Sequence, residues 1–303
     1  MLRRAAAVVV VVASITCVSP ARADAADPPG WTPVFSQSFD DAGALPSGCS
    51  AYDGAPDGTQ AGYFRPEAVT VSDGRLRLAL HRRAYGGKPY VTGEVRCLGA
   101  TQQYGRYEFR ARVPTGAGIE SVVMLRPVDG QARDVSQLAI LARPGDETAV
   151  VSNGNGSGTS TKMLPGTFSD WHTYVIEWAP SGFRISVDGR ERSADPAVST
   201  QPRWFGFAVT TGDKAGTPTA ATALPAEFEV DYLRIWAFAP VSSAPAVASS
   251  PTTVEGALPP GGAPPRRWSL WLAVSAIVMS GLALFVLVVR KTRPRRPPSS
   301  HRI

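Results

Sequence analysis

Residues 104–113 read YGRYEFRARV. In an extended chain, Tyr107, Phe109, Ala111 and Val113 fall on one side, and Arg106, Glu108, Arg110 and Arg112 on the other. A period of two is the mark of a half-buried β-strand. It recurs in RLRLAL at 75–80, where Leu76, Leu78 and Leu80 share a face, and further strands are read in WHTYVIEW at 171–178, RISVDGRE at 184–191, RWFGFAVTT at 203–211 and EFEVDYLRIW at 227–236. Asp188-Gly189 is a hairpin signal, because both residues accept the positive φ of a tight turn. No segment of residues 31–238 keeps a helical period, and Gly, Pro and Ser clusters separate the runs. Many short strands without helices predict an all-β domain, an antiparallel two-sheet sandwich of the jelly-roll kind.

The ends of the chain have a different character. Residues 1–26 combine Arg3 and Arg4, an apolar run and small residues around Ala23 and Ala26. That is the pattern of a secretory signal peptide. Trp268 to Val289 carries no charge and is long enough to cross a ~30 Å hydrocarbon core. Arg290, Lys291, Arg293, Arg295 and Arg296 follow it, and such a cluster belongs inside the cell. The expected organisation is therefore a signal peptide at 1–26, a β-sandwich domain at 27–238, a linker at 239–265, a transmembrane helix at 266–290 and a cytoplasmic tail at 291–303. The linker is rich in Pro, Ala and Ser, and proline makes such a tether semi-extended. These cues place the domain outside the cell on a single-pass membrane anchor.

The net charge of +6 is a property of these ends. The region between them is net acidic, which argues against a nucleic-acid partner, since that needs a basic face on the folded domain. Beyond the signal only Cys49 and Cys97 remain, and two cysteines in an oxidising compartment predict one disulfide. His81, His172 and His301 form no ligand spacing, so no metal site is expected.

The same segments, in this order, resemble glycoside hydrolase family 16, the β-glucanase and laminarinase group. WTPVFSQSFDD at 31–41, FRPEAVTVSDGRLRLAL at 64–80, YVTGEVRCLGATQQYGRYEFRARVPTGAGIESVVMLRP at 90–127, WHTYVIEWAPSGFRISVDGR at 171–190 and FEVDYLRIW at 228–236 carry the likeness. It implies a concanavalin A-like jelly roll whose concave sheet forms a polysaccharide cleft, in a monomer without a cofactor. A structural calcium would fit the resemblance, but no ligand set for one is legible.

The family's catalytic motif is Glu-x-Asp-x-x-Glu, or a form one residue shorter. A retaining glycosidase needs a nucleophilic carboxylate and an acid/base carboxyl about 5–5.5 Å apart, and alternate residues of a strand share a face. In the register of the resemblance the motif falls on RDVSQLAIL at 133–141. Asp134 then takes the nucleophile position, Ser136 that of the middle acid and Ala139 that of the acid/base, or Leu138 in the short form. Neither Ala nor Leu transfers a proton, and losing that group alone costs roughly 10²–10⁴ in rate.

Glu120 and Met124 fall where cleft tryptophans are common in the family, so the sugar-stacking floor is altered. Glu120, Trp178 and Trp204 are the candidate substrate contacts, since an aromatic face suits the apolar side of a pyranose. Glu177 reads as a hydrogen-bonded sheet residue. The polar run SNGNGSGTST at 152–161 reads as a loop able to border the cleft, and Asn155-Gly-Ser is a formal glycosylation sequon. The leading expectation is a surface-tethered domain that binds a polysaccharide, a β-glucan or related envelope glycan, without ordinary hydrolysis. The alternatives are an active glycosidase with rearranged acids, and a structural or adhesion protein of the envelope.

Overall fold

The computed structural model describes residues 27–56, 58 and 60–240. The expected signal peptide, most of the linker, the transmembrane helix and the tail lie outside the described residues. Among the described residues no helix is long and apolar enough to cross a membrane.

Among the described residues seventeen strands follow one another: β1 Trp31–Gln37, β2 Ser50–Ala51, β3 Gly62–Phe64, β4 Val69–Ser72, β5 Arg75–Leu80, β6 Tyr90–Thr92, β7 Glu94–Gln102, β8 Gly105–Arg112, β9 Glu120–Pro127, β10 Ser136–Arg143, β11 Asp146–Gly154, β12 Thr159–Pro165, β13 His172–Ala179, β14 Gly182–Val187, β15 Arg190–Asp195, β16 Arg203–Thr210 and β17 Ala226–Phe238. One sheet has the order β15-β14-β13-β8-β17-β5-β4, with β1 also paired to β17. The other runs β12-β11-β10-β9-β16-β7-β2. Both are antiparallel throughout. The expected all-β two-sheet sandwich is thus what the chain forms.

Period-two alternation explains how the sheets face each other. Tyr107, Phe109 and Ala111 of β8 point inward from one sheet, and Phe205, Phe207 and Val209 of β16 from the other. Tyr107 stacks on Phe205 across the interface, with ring centroids 5.1 Å apart and planes at 8°. Phe207 meets Phe228 of β17 edge-on at 5.8 Å. The β14–β15 turn bears out its sequence signal, with φ of 50° at Asp188 and 74° at Gly189. Cys49 and Cys97 are joined as expected, across 48 residues, tying the segment before β2 to β7.

Candidate functional site: a cleft over the seven-stranded sheet

A cleft of about 460 Å³ lies over the outer face of the seven-stranded sheet. Because Val95 and Cys97 of β7 belong to the core, their neighbours Glu94 and Arg96 turn outward and line the cleft. On β9, Val123 and Leu125 face inward, so Glu120, Val122, Met124 and Arg126 line it from the next layer of the floor. An apolar cluster of Phe64, Val122, Met124, Ala139, Trp204 and Ala208 lies on this side of the sheet, separate from the main core. Gly206 lets Trp204 lie flat here, since a Cβ at that position would stand 2.8 Å from the indole and 2.7 Å from the Val95 carbonyl.

The strand β10 decides what chemistry this floor can do. Val135 and Gln137 line the cleft, and Ala139 belongs to the apolar cluster beneath it. Leu138, Ile140 and Ala142 face the core, and β10 pairs with β9 and β11 without a register break. With no bulge, period two is unbroken, and Ser136 must share the inward face of Leu138. Asp134 and Ser136 are 2 % and 1 % exposed and are absent from the cleft lining. The register taken from the resemblance, with Asp134 as nucleophile and Ser136 as middle acid looking into the cleft, is therefore corrected by one residue. The positions that look outward are Val135, Gln137 and Ala139, none of which carries a carboxyl.

Asp134 ends a 3-10 turn, Ala132–Asp134, directly before β10. Its inward neighbour is Arg203, a guanidinium fully removed from solvent. Arg203 Nη1 donates to Ser136 Oγ at 2.7 Å and Nη2 to the Gly154 carbonyl at 2.7 Å. Its Cζ sits 4.6 Å from the centre of the Trp178 ring. Burial pulls the guanidinium down to about 10, while the Asp134 carboxylate and Tyr107 act to hold it up, so it stays charged at neutral pH. Ser136 Oγ donates in turn to Asn153 Oδ1 at 2.8 Å. The polar residues that lead β10 thus belong to a buried network under the sheet.

The expected substrate contacts divide. Glu120 lines the cleft, and its carboxylate accepts a 3.3 Å hydrogen bond from Thr210 Oγ1. Trp204 lies on the cleft side of the sheet but is only 6 % exposed. Trp178 is 0 % exposed, and its Nε1 donates to the Ser199 carbonyl at 3.0 Å. It faces the sandwich interior with Tyr174 and Ile176 of the same strand, so it cannot stack on a sugar. Glu177 pairs with Arg106 on the opposite face of β13, the structural role its position suggests. The run at 152–161 is a hairpin between β11 and β12, turned by Asn155 Oδ1 accepting from the Ser157 and Gly158 amides at 3.0 and 2.9 Å. Its Ser152, Thr159 and Thr161 do line the cleft.

Sequence reasoning missed Glu94, Arg96 and Tyr52. Arg96 Nε donates to Glu94 Oε1, and the guanidinium lies 3.4 Å from the Tyr52 ring centre and 5.3 Å from that of Trp204. The legible signal was the alternation in GEVRC: once Cys97 is committed to a disulfide on the core side, Glu94 and Arg96 must face away. Among the described residues no group of three or more His, Cys, Asp or Glu is placed to hold a metal ion, so no calcium ligands can be named.

A model of Glycosyl hydrolases family 16 matches residues 59–203. A β-glucanase of Rhodothermus marinus is 28 % identical over 274 residues, which cover 78 % of this chain and 95 % of that protein. A β-glucanase of Acetivibrio thermocellus is 31 % identical over 180 residues, 55 % of this chain and 52 % of that one, so the chain spans about half its length. Among solved structures, the catalytic domain of an endo-1,3-β-glucanase (laminarinase) from Thermotoga petrophila superposes with a TM-score of 0.60 at 22 % identity, covering 68 % of this chain and 97 % of that one. The laminarinase from Rhodothermus marinus gives a TM-score of 0.57 at 22 % identity, over 69 % and 98 % of the two chains. These likenesses establish the sandwich fold independently of its sequence pattern.

Proposed function

The described domain belongs to glycosyl hydrolases family 16 and is β-glucanase-like, and we propose that it binds a polysaccharide in this cleft without ordinary hydrolysis. The glycan is a β-glucan or a related envelope polymer, the class named for its relatives. One observation carries the reading: the outward positions of β10 are Val135, Gln137 and Ala139, and the one acid of that segment is buried on the other side. A retaining mechanism needs two carboxyls about 5–5.5 Å apart, and an inverting one about 6.5–9.5 Å. Neither can be assembled on this strand. What remains is an apolar floor with hydroxyl-bearing and charged side chains around it, suited to holding a sugar chain by its hydroxyl groups.

Glu94 and Glu120 favour a second reading, a glycosidase with rearranged acids. Both line the cleft. Glu94 is level with Ala208 and, across it, Val122, two residues along β9 from Glu120. Strand spacing and rise then put their backbones ~12 Å apart, and each carboxylate already holds a neighbour, Arg96 or Thr210. We favour binding for that reason. The amino-terminal and carboxy-terminal segments extend the proposal to a domain displayed outside the cell on a membrane tether.

The test incubates full-length protein, purified in mild detergent, with β-1,3- and mixed-linkage β-glucans and measures both retention and reducing ends. Retention without reducing ends is the expected result. Release of reducing ends that disappears in Glu94→Gln or Glu120→Gln would establish the second reading instead. Cell fractionation and protease shaving of intact cells check the display.

A further inference from the structure

The aromatic surface of the cleft is already occupied. A neutral pyranose is held in such a site by stacking its apolar face on an exposed aromatic ring. Here the Arg96 guanidinium lies 3.4 Å from the Tyr52 ring centre, within stacking contact, and Trp204 is closed to solvent beneath Arg96, Gly206 and Met124. The group presented at this point is a planar cation. Its Nε is committed to Glu94, and no hydrogen bond from its Nη groups to another described residue is present. Tyr52 and Glu94 together fix the plane of the guanidinium, and an Arg held this way loses little freedom when it grips a ligand. Arg126 and Lys214 line the same cleft, against the two carboxylates Glu94 and Glu120. Among the described residues that line the cleft, cations thus outnumber carboxylates by one, and they include one oriented fork of donors.

Planar, bidentate donors select carboxylates. Accepting that the cleft binds a glycan, we propose that Arg96 makes it selective for a glycan bearing carboxylate groups, a uronate polymer, at the cost of affinity for neutral glucan. A uronate polymer fits the arrangement in two ways. The carboxylate of one ring takes the Nη edge of Arg96 on β7, and the hydroxyl groups of rings further along the polymer meet the hydroxyls of Ser152, Thr159 and Thr161 on β11 and β12, across the sheet. Arg96 is thus a specificity-determining residue, and Tyr52 positions it.

The experiment titrates the full-length protein with three probes at one salt concentration: polymannuronate for carboxylates, dextran sulfate for sulfate esters, and laminarin as neutral β-1,3-glucan. The expected result is roughly tenfold or tighter binding of polymannuronate over laminarin, the size of a charge-assisted fork. Arg96→Ala should remove that preference and, by uncovering Tyr52, bind laminarin at least as well as the parent. Arg96→Lys, which keeps the charge and loses the fork, should also lose most of the preference, and it guards against an alanine variant that fails to fold. Laminarin bound as tightly as polymannuronate, or uronate binding unchanged in both variants, would overturn the inference and leave glycan binding standing. Stronger binding of dextran sulfate than of polymannuronate would overturn the carboxylate assignment. No binding of any probe would overturn both this inference and the reading it rests on.

Discussion

Arg203 Nη1 donates to Ser136 Oγ at 2.7 Å across the interior of the sandwich. That bond joins the first residue of β16 to the first residue of β10, two strands apart in one sheet. It fixes which side of β10 is polar and buried. A strand entered through Asp134-Val135-Ser136 can present either face to the cleft as far as alternation goes. The guanidinium beneath the sheet draws the polar face inward and leaves the cleft with Val135 and Gln137.

Removing that guanidinium should be costly. Arg203→Met removes its hydrogen bonds to Ser136 and Gly154 and leaves the buried Asp134 with only the exposed Arg133, 3.7 Å from its Oδ2, as a counter-charge; the cost approaches the about 3–5 kcal/mol of breaking a buried charged network. Asp134 Oδ1 and Arg203 Nε already lack a hydrogen-bond partner among the described residues, so little slack exists to absorb the change. The double variant Arg203→Met, Asp134→Asn should recover a substantial part of the loss, because no charge is then stranded. Urea unfolding of the two single variants and the double variant, analysed as a cycle, measures the coupling.

Asp134 itself should be silent in glycan binding. A buried carboxylate on the inner face contributes to the cleft only by holding the turn before β10. Asp134→Asn, which keeps the shape, should bind glucan within about twofold of the parent while lowering the urea midpoint. A tenfold loss of binding at an unchanged midpoint would return Asp134 to the cleft. The size of the stability change is bounded by the cost of unpairing a buried charge, about 1–3 kcal/mol.

These residues also mark how far the sequence could be read. YGRYEFRARV and WHTYVIEW have one apolar and one polar face, so their inward side was legible, and Trp178, in step with Tyr174 and Ile176, belongs to it. β10 has no such contrast. Leu138 and Ile140 on one side and Ala139 and Leu141 on the other are all apolar and buried, because the outer side is a covered cleft floor. The choice between faces is made by Arg203, Asn153 and Gly154, which reach β10 from the strands after it and from across the sheet. No local pattern encodes those partners. The disulfide was legible because only two cysteines were left to pair.

The Cys49–Cys97 bond should be a main prop of the amino-terminal half. It closes a span of 48 residues, and loop-closure entropy for such a span gives about 4 kcal/mol. Cys49→Ser with Cys97→Ser should lower unfolding stability by roughly that amount, and reductant should do the same to the parent protein. Cys97 lies within the core beside Val95 and Phe207, so the loss includes packing as well as entropy. Cleft binding at temperatures well below the midpoint should survive, since Glu94 and Arg96 are held by the pairing of β7 with β16 as well.

Acid should destabilise the fold through three carboxylates outside the cleft. Burial pushes Glu147, Asp188 and Asp195 up, but hydrogen bonds outweigh it and hold each below its ordinary value. Glu147 accepts from the Phe168 and Ser169 amides, Asp195 from Ser160, Asn153 and the Ala197 amide, and Asp188 from the Thr173 amide and His172. Each of these acids binds a proton more readily unfolded than folded. Their contribution is complete above the unfolded carboxylate range, about pH 4, and is lost as pH falls through the lower folded values. The urea midpoint should therefore hold from pH 7 to about pH 5 and fall steeply below about pH 4. Asp188→Asn is the cleanest probe, because Asn accepts the positive φ of 50° at this turn position as readily as Asp. Asp188 is half exposed, so solvent screening limits its share to less than about 1 kcal/mol. The variant should lose that much at pH 7 and show a shallower acid limb, and an acid limb as steep as the parent's would assign the effect to Glu147 and Asp195 alone.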